Sequence, residues 1–200
     1  MLIKPCTGEG RGGSVRLDDE YMPEGGAVVW AIDDGYAGKI DKKTKMFSGK
    51  SHPRAIMLCQ LRPDGTIAVF AESCKIETLA YDHIGQVLNY SDKSGWPRPM
   101  YVVRDRAAAS LEGALAKYHI KSRFNRVLVE EGTKELREWV ALDTNGIRRL
   151  IVHPRCFYTR YEMATYSYNN TGAIIKEHDH TIDALKYLVW ELAYGRPATV

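Results

Sequence analysis

Hydrophobic residues in this chain fall into short runs separated by polar turns, and the spacing inside each run predicts its element. AVVWAI (27–32) is an unbroken apolar run that stops at Asp33, Asp34 and Gly35, the pattern of a strand buried on both faces. Residues 55–76 form two β-rich runs split by Pro63-Asp64-Gly65, a hairpin signal. Residues 77–90 carry Leu79, Ile84, Val87 and Leu88 at helical spacing. MYVV (100–103) predicts a short strand ended by Arg104 and Asp105, with a helix over AAASLEGALAKYHI behind it. RVLVEE (126–131) fits a strand or the lead into a helix, and 134–142 fits a helix. A strand over 148–154, a helix over 157–168 and a C-terminal helix over 181–195 follow, the last stopped by Gly195 and Pro197. The order predicts an α/β fold with a mixed sheet, because the second and third strands form a hairpin instead of a βαβ unit.

With 200 residues, 44% of them hydrophobic and 26% charged, the chain has material for one core and not for two. Residues 1–26 are rich in Gly and polar groups and read as an arm or linker, leaving 27–195 as the domain and 196–200 as a tail. No apolar run approaches the roughly 20 residues of a membrane span, and no secretion signal opens the chain, so a cytoplasmic protein without a membrane partner is expected. Four cysteines (Cys6, Cys59, Cys74, Cys156) form no C-x-x-C pair, which argues against a structural zinc site and for reduced thiols. A two-residue Asp64-Gly65 turn would set Cys59 opposite Phe70. The net charge of +3 is too small to imply nucleic acid by itself; the distribution of charge has to carry that argument.

Three acids stand out by position. Asp33 ends the first strand, Asp105 ends a later strand that could lie beside it, and Asp183 lies in the first turn of the last helix. Carboxylates gathered at one sheet edge repel one another unless a cation joins them, and an all-oxygen set suits Mg²⁺ or Mn²⁺. Two such ions about 4 Å apart can cut a phosphodiester. His180 precedes Asp183 by three residues and shares its helix face. Taken singly, each acid also fits a loop or capping role. A zinc site through His178-x-His180 is a competing reading.

These segments resemble the C-terminal nuclease domain of tailed-phage large terminases. The resemblance rests on Pro154, Cys156, Glu162 and Tyr166, then Asp179, His180, Asp183, Ala184 and Tyr187, with AIDDGYAG (31–38) and VVRDRAAAS (102–110) as the two earlier acid segments. It covers roughly residues 27–192. It implies an RNase H-like fold and a two-metal endonuclease that cuts concatemeric double-stranded DNA with little sequence preference. It implies Asp33, Asp105 and Asp183 as metal ligands for two Mg²⁺ or Mn²⁺ ions, with His180 as an auxiliary catalytic group. It further implies an ATPase domain, a portal ring and a small terminase subunit as partners, in the cytoplasm of an infected host cell. Asp34 stands where many relatives have an apolar residue; strand alternation lets one of the two point at the site, and Asp33 is the choice.

The ATPase half is not legible in this chain. Ser48-Gly49-Lys50-Ser51 mimics the end of a phosphate loop, but Thr44 replaces its first glycine and no apolar strand precedes it. Lys39, Lys42, Lys43, Lys45, Lys50 and Arg54 crowd the stretch after the first strand, where they could follow a phosphate backbone. Arg104 and Arg106 flank Asp105 and could either neutralise the acids or hold phosphate. The aromatic residues Tyr158, Tyr161, Tyr166 and Tyr168 fit packing better than base stacking. Two other functions stay open: a junction resolvase or transposase-like nuclease of the same fold, and a non-catalytic module that docks on a portal.

Overall fold

The computed structural model describes residues 27–41, 43, 46–48, 51–125, 127–167, 169–170, 174–175 and 177–195. The expected arm and tail, together with Cys6, Lys42, Lys45, Lys50, Tyr168 and Pro197, lie outside these residues. The elements are β1 (Ala27–Asp33), β2 (Arg54–Leu61), β3 (Ile67–Lys75), α1 (Ala80–Lys93), β4 (Val102–Asp105), α2 (Ala109–Lys117), β5 (Ser122–Asn125), α3 (Val129–Val140), β6 (Leu150–Val152), α4 (Phe157–Thr165) and α5 (His180–Tyr194). The six strands form one sheet in the order β5-β4-β1-β2-β3-β6. β1, β2 and β3 are antiparallel neighbours, whereas β4 runs parallel to β1, β5 to β4 and β6 to β3. The sheet is therefore mixed, and β1 is central as its unbroken apolar run requires.

Alternation along the strands sorts the core into two layers. Val28, Trp30 and Ile32 pack with Ile84, Val87 and Leu88 of α1 and with Leu111 and Leu115 of α2. Val29 and Ala31 face the other way, onto Leu136 and Trp139 of α3 and Ile182, Leu185, Leu188 and Val189 of α5. α5 crosses β1, β2 and β4, so its N-terminus ends over the carboxyl ends of β1 and β4.

Two expectations change. A strand not expected from the sequence, Ser122–Asn125, precedes the run read as a strand or the lead into a helix, and the second of those readings holds, since α3 begins at Val129. Four residues at a sheet edge, with Phe124 half exposed, carry too little period to be read. The β2–β3 hairpin closes through three residues, Pro63, Asp64 and Gly65, with Arg62 N–H donating to the Thr66 carbonyl at 2.9 Å and Gly65 at φ +82°. A third residue in the left-handed region is the usual form of this turn. Cys59 consequently faces Val69, and a bulge at Leu58/Cys59 leaves Phe70 as the extra residue. Cys59, Cys74 and Cys156 are buried.

The bulge also re-aims an acid. Val69 faces α5, and Glu72, three residues on, faces the same side, reaching α4. Without the extra residue Glu72 would point to the α1 side. No helix among the described residues is long and apolar enough to cross a membrane.

Candidate active site

Parity along the strands decides which acids meet. Asp33 continues the Val29–Ala31 series toward α5, and Asp34 points the opposite way. Asp34 accepts a hydrogen bond from Arg54 Nε at 2.6 Å and from the Ser110 hydroxyl at 2.6 Å. On β4, Val103 and Asp105 face α5 while Arg104 faces α2. β1 and β4 are parallel, with Ile32 beside Arg104, so Asp33 and Asp105 follow side by side at their carboxyl ends. Asp179, His180 and Asp183 arrive from the start of α5. Asp33, Asp105 and Asp183, which the sequence singled out, thus share one edge of the sheet with His180. Asp179, quoted in the resemblance but not assigned a role there, joins them.

His180 bridges two acceptors. Its Nδ1 lies 3.2 Å from Asp33 Oδ2 and its Nε2 lies 2.8 Å from the Ser51 carbonyl. A carbonyl only accepts, so Nε2 carries a proton and Nδ1 shares one with Asp33. Burial pulls the His180 imidazole down, but the hydrogen bond and charge of Asp33, with Glu162 and the Ser51 carbonyl, outweigh it and lift its pKa to about 9. Burial raises the Asp33 carboxyl against the pull of His180, and Asp179 and Asp105 add to the rise. Asp183 is pushed up to about 6, first by burial, with Lys186 opposing and Asp179 and Asp33 reinforcing. The Tyr187 hydroxyl is also raised, by burial and then by Asp33, Asp183, Asp105 and Asp179.

This is an acid cluster short of positive charge. Its donors, carboxylates with one imidazole, are of the kind a hard divalent cation takes. Among the described residues no three such side chains already surround one point; His180 and Lys186 occupy Asp33 and Asp183 instead. The two histidines of the competing zinc pair have different partners: His178 sets its ring edge-on to Tyr161 at 5.5 Å, while His180 is held by Asp33.

Two buried glutamates hold the N-terminus of α5 in place. Glu72 accepts from Tyr158 N–H at 2.6 Å, Thr159 N–H at 2.9 Å and the Thr159 hydroxyl at 2.6 Å, capping α4 from β3. Glu162, on α4, accepts from Thr181 N–H at 2.7 Å, the Thr181 hydroxyl at 2.5 Å and Ile182 N–H at 3.3 Å. Neither helix has a cap from its own N-terminal residue, so these tertiary caps satisfy the orphan amides. Burial raises both carboxyls to about 7 against those hydrogen bonds. Sequence reasoning missed both roles, since partners 87 and 19 residues apart leave no local capping pattern.

The expected DNA contacts divide. Lys39 and Lys43 are exposed on the excursion between β1 and β2, while Lys42, Lys45 and Lys50 fall outside the described residues. That excursion is anchored beside the site: Ile40 bridges Phe47, Met46 and Phe47 are buried, and Ser51 binds Lys39 and presents its carbonyl to His180. Arg54 and Arg104 do not fit a phosphate role. Arg54 is buried between Asp34 and the Thr78 carbonyl. Arg104 is 2% exposed and pairs with Glu112 and the Asp105 carbonyl, because alternation turns it away from the edge that Asp105 faces.

Two measurements follow from this geometry. Asp34→Asn is expected to keep activity within about threefold of wild type while losing about 1–2 kcal/mol of stability through the weakened Arg54 partner; Asp33→Asn is expected to do the reverse. Denaturant melts and an activity assay on both variants check it. The second concerns pH. Glu72, Glu162 and His180 bind their protons more tightly folded than unfolded, so the stability they contribute is lost as pH rises through about 7 for the glutamates and about 9 for His180. Buried His83, held down to about 3 chiefly by burial, works the other way only below its ordinary 6.5. The melting temperature of metal-free protein is therefore expected to fall by roughly 5 °C between about pH 6.5 and 8.5, read by calorimetry; a rise would contradict the assignments.

The six-stranded mixed sheet with its flanking helices is an α/β fold of the RNase H-like kind. Solved structures share this fold. The large terminase of a thermophilic bacteriophage superposes with a TM-score of 0.66 at 17% identity, over 88% of this chain and 41% of that one. The P22 large terminase nuclease domain gives 0.62 at 20% identity, over 85% and 83%. The large terminase nuclease of thermophilic phage G20c with bound magnesium gives 0.55 at 15%, over 84% and 82%. The chain has the fold of the large-terminase nuclease domain, and it spans 41% of the length of the first of these terminases. No protein-family model and no curated protein matches it.

Proposed function

We propose that this chain is a metal-dependent endonuclease domain that cuts concatemeric double-stranded DNA in a viral packaging motor. The observation that carries the reading is the convergence of Asp33 and Asp105 from adjacent strand ends with His180 and Asp183 from α5, on the fold shared with the terminase nucleases. Asp33, Asp105 and Asp183 would hold two Mg²⁺ or Mn²⁺ ions, as the magnesium in the G20c nuclease suggests. Bound there, the ions would supply Lewis-acid charge for the phosphate and lower the pKa of an attacking water. The chain's own residues do the rest. His180, fixed by the Ser51 carbonyl, orients the Asp33 carboxylate and holds a proton at Nδ1 at the edge of the site. Glu162 sets the start of α5, and so the positions of His180 and Asp183. Lys39 and Lys43, exposed on the excursion between β1 and β2, are the candidates for contact with a phosphate backbone, and contacts of that kind read charge and not sequence.

An ATPase domain, a portal ring and a small terminase subunit are the partners that belong with this reading, in the cytoplasm of an infected cell. The test is incubation of the purified chain with supercoiled plasmid. Nicked and linear products are expected with Mn²⁺ or Mg²⁺ and none with EDTA. Intact plasmid at millimolar concentrations of both metals, with protein shown to be folded, would overturn the proposal.

A further inference from the structure

Lys186 lies one turn beyond Asp183 on α5 and is the residue of this site that the proposed chemistry does not use. Surface lysines at this spacing are common and worth little, but this one is 4% exposed. Its stem packs on α3 at Gly132, where an added Cβ would come within 3.3 Å of the Lys186 Cβ and 3.4 Å of its Cδ. The ammonium donates to the Tyr166 hydroxyl at 3.4 Å, which is itself 3.3 Å from the Thr133 hydroxyl, and it forms an ion pair with Asp183. Three elements thus position one buried cation on the carboxylate that the fold brings to the edge of the site. A buried ammonium needs a paired charge, and Asp183 is the carboxylate that meets it here.

We infer that Lys186 is a built-in counter-ion that holds Asp183 in the metal-free protein and sets how tightly the site takes up a divalent ion. The inference rests on the reading of Asp183 as a metal ligand. An ion joining Asp183 would face a fixed positive charge a few ångströms away, across a poorly screened interior, and its affinity would fall accordingly. The packing on Gly132 and the Tyr166 hydroxyl limit how far the ammonium can retreat. Lys186 therefore trades metal affinity for a site that stays folded and neutralised when no ion is bound.

Calorimetric titration with Mn²⁺ at one pH and salt concentration tests this on wild type, Lys186→Met and Lys186→Arg. Lys186→Met is expected to bind Mn²⁺ about tenfold or more tightly than wild type, whereas Lys186→Arg, which keeps the charge, stays within about threefold. Metal-free Lys186→Met is expected to melt lower than wild type and to gain more from saturating Mn²⁺. Should Lys186→Met fail to fold, Lys186→Gln is read by the same criterion. Mn²⁺ affinity in the neutral variant equal to or below wild type overturns the role of Lys186 and leaves the metal site standing. No Mn²⁺ binding in any variant overturns the metal site, and this inference with it.

Discussion

Asp183→Ala is expected to lower the rate of plasmid cleavage by at least about a thousandfold, a loss of about 4 kcal/mol of transition-state stabilisation. Asp183 is the acid that α5 brings to the carboxyl ends of β1 and β4, and on the proposed reading it holds a cation against the scissile phosphate. Its carboxyl is raised to about 6, with burial as the leading cause and the Lys186 ammonium opposing. The substitution has a second effect that must be separated from the first. Removing the carboxylate leaves the Lys186 ammonium buried without its partner, which costs about 2 kcal/mol or more. Asp183→Asn keeps the shape and an acceptor for Lys186, and it is expected to lose cleavage equally while melting closer to wild type. Cleavage by folded Asp183→Asn within tenfold of wild type would show that the site is elsewhere.

Glu162→Ala is expected to destabilise the fold by about 2–4 kcal/mol, because it strands the Thr181 amide, the Thr181 hydroxyl and the Ile182 amide in a buried place. Glu162→Gln keeps one acceptor oxygen and is expected to cost about half as much. The effect on chemistry distinguishes a positioning role from a purely structural one. The same N–H groups begin the helix that carries His180 and Asp183, so folded Glu162→Gln is expected to lower kcat about tenfold with KM nearly unchanged. Urea melts with steady-state cleavage read both effects. An unchanged kcat in a destabilised variant would assign Glu162 to the fold alone.

What sequence alone could carry is visible in particular residues. The apolar run of β1 announced the central strand; alternation said that only one of Asp33 and Asp34 could face the site, and the resemblance, not the run itself, put Asp33 there. The spacing of His180 and Asp183 placed both on one helix face, and the hairpin between β2 and β3 announced a mixed sheet. These are local patterns, set by periods of 2 and 3.6 residues. The same alternation, applied to β4, would have turned Arg104 away from the site; its place next to Asp105 suggested a phosphate contact that its burial against Glu112 rules out. Arg54 misled in the same way, since a basic residue near a basic loop gives no sign of an acidic partner 20 residues back.

Local pattern in the sequence determined the elements other than β5, and the acids that could meet. Only the tertiary structure decided that they do meet, and what holds them. The bulge at Phe70 turned Glu72 onto α4, Glu162 tied α4 to α5, and the packing of α3 on α5 seated Lys186 against Asp183. Each of these is a contact between residues distant along the chain, whose free energy depends on burial and on a partner's direction, and neither quantity has a period that a sequence can display.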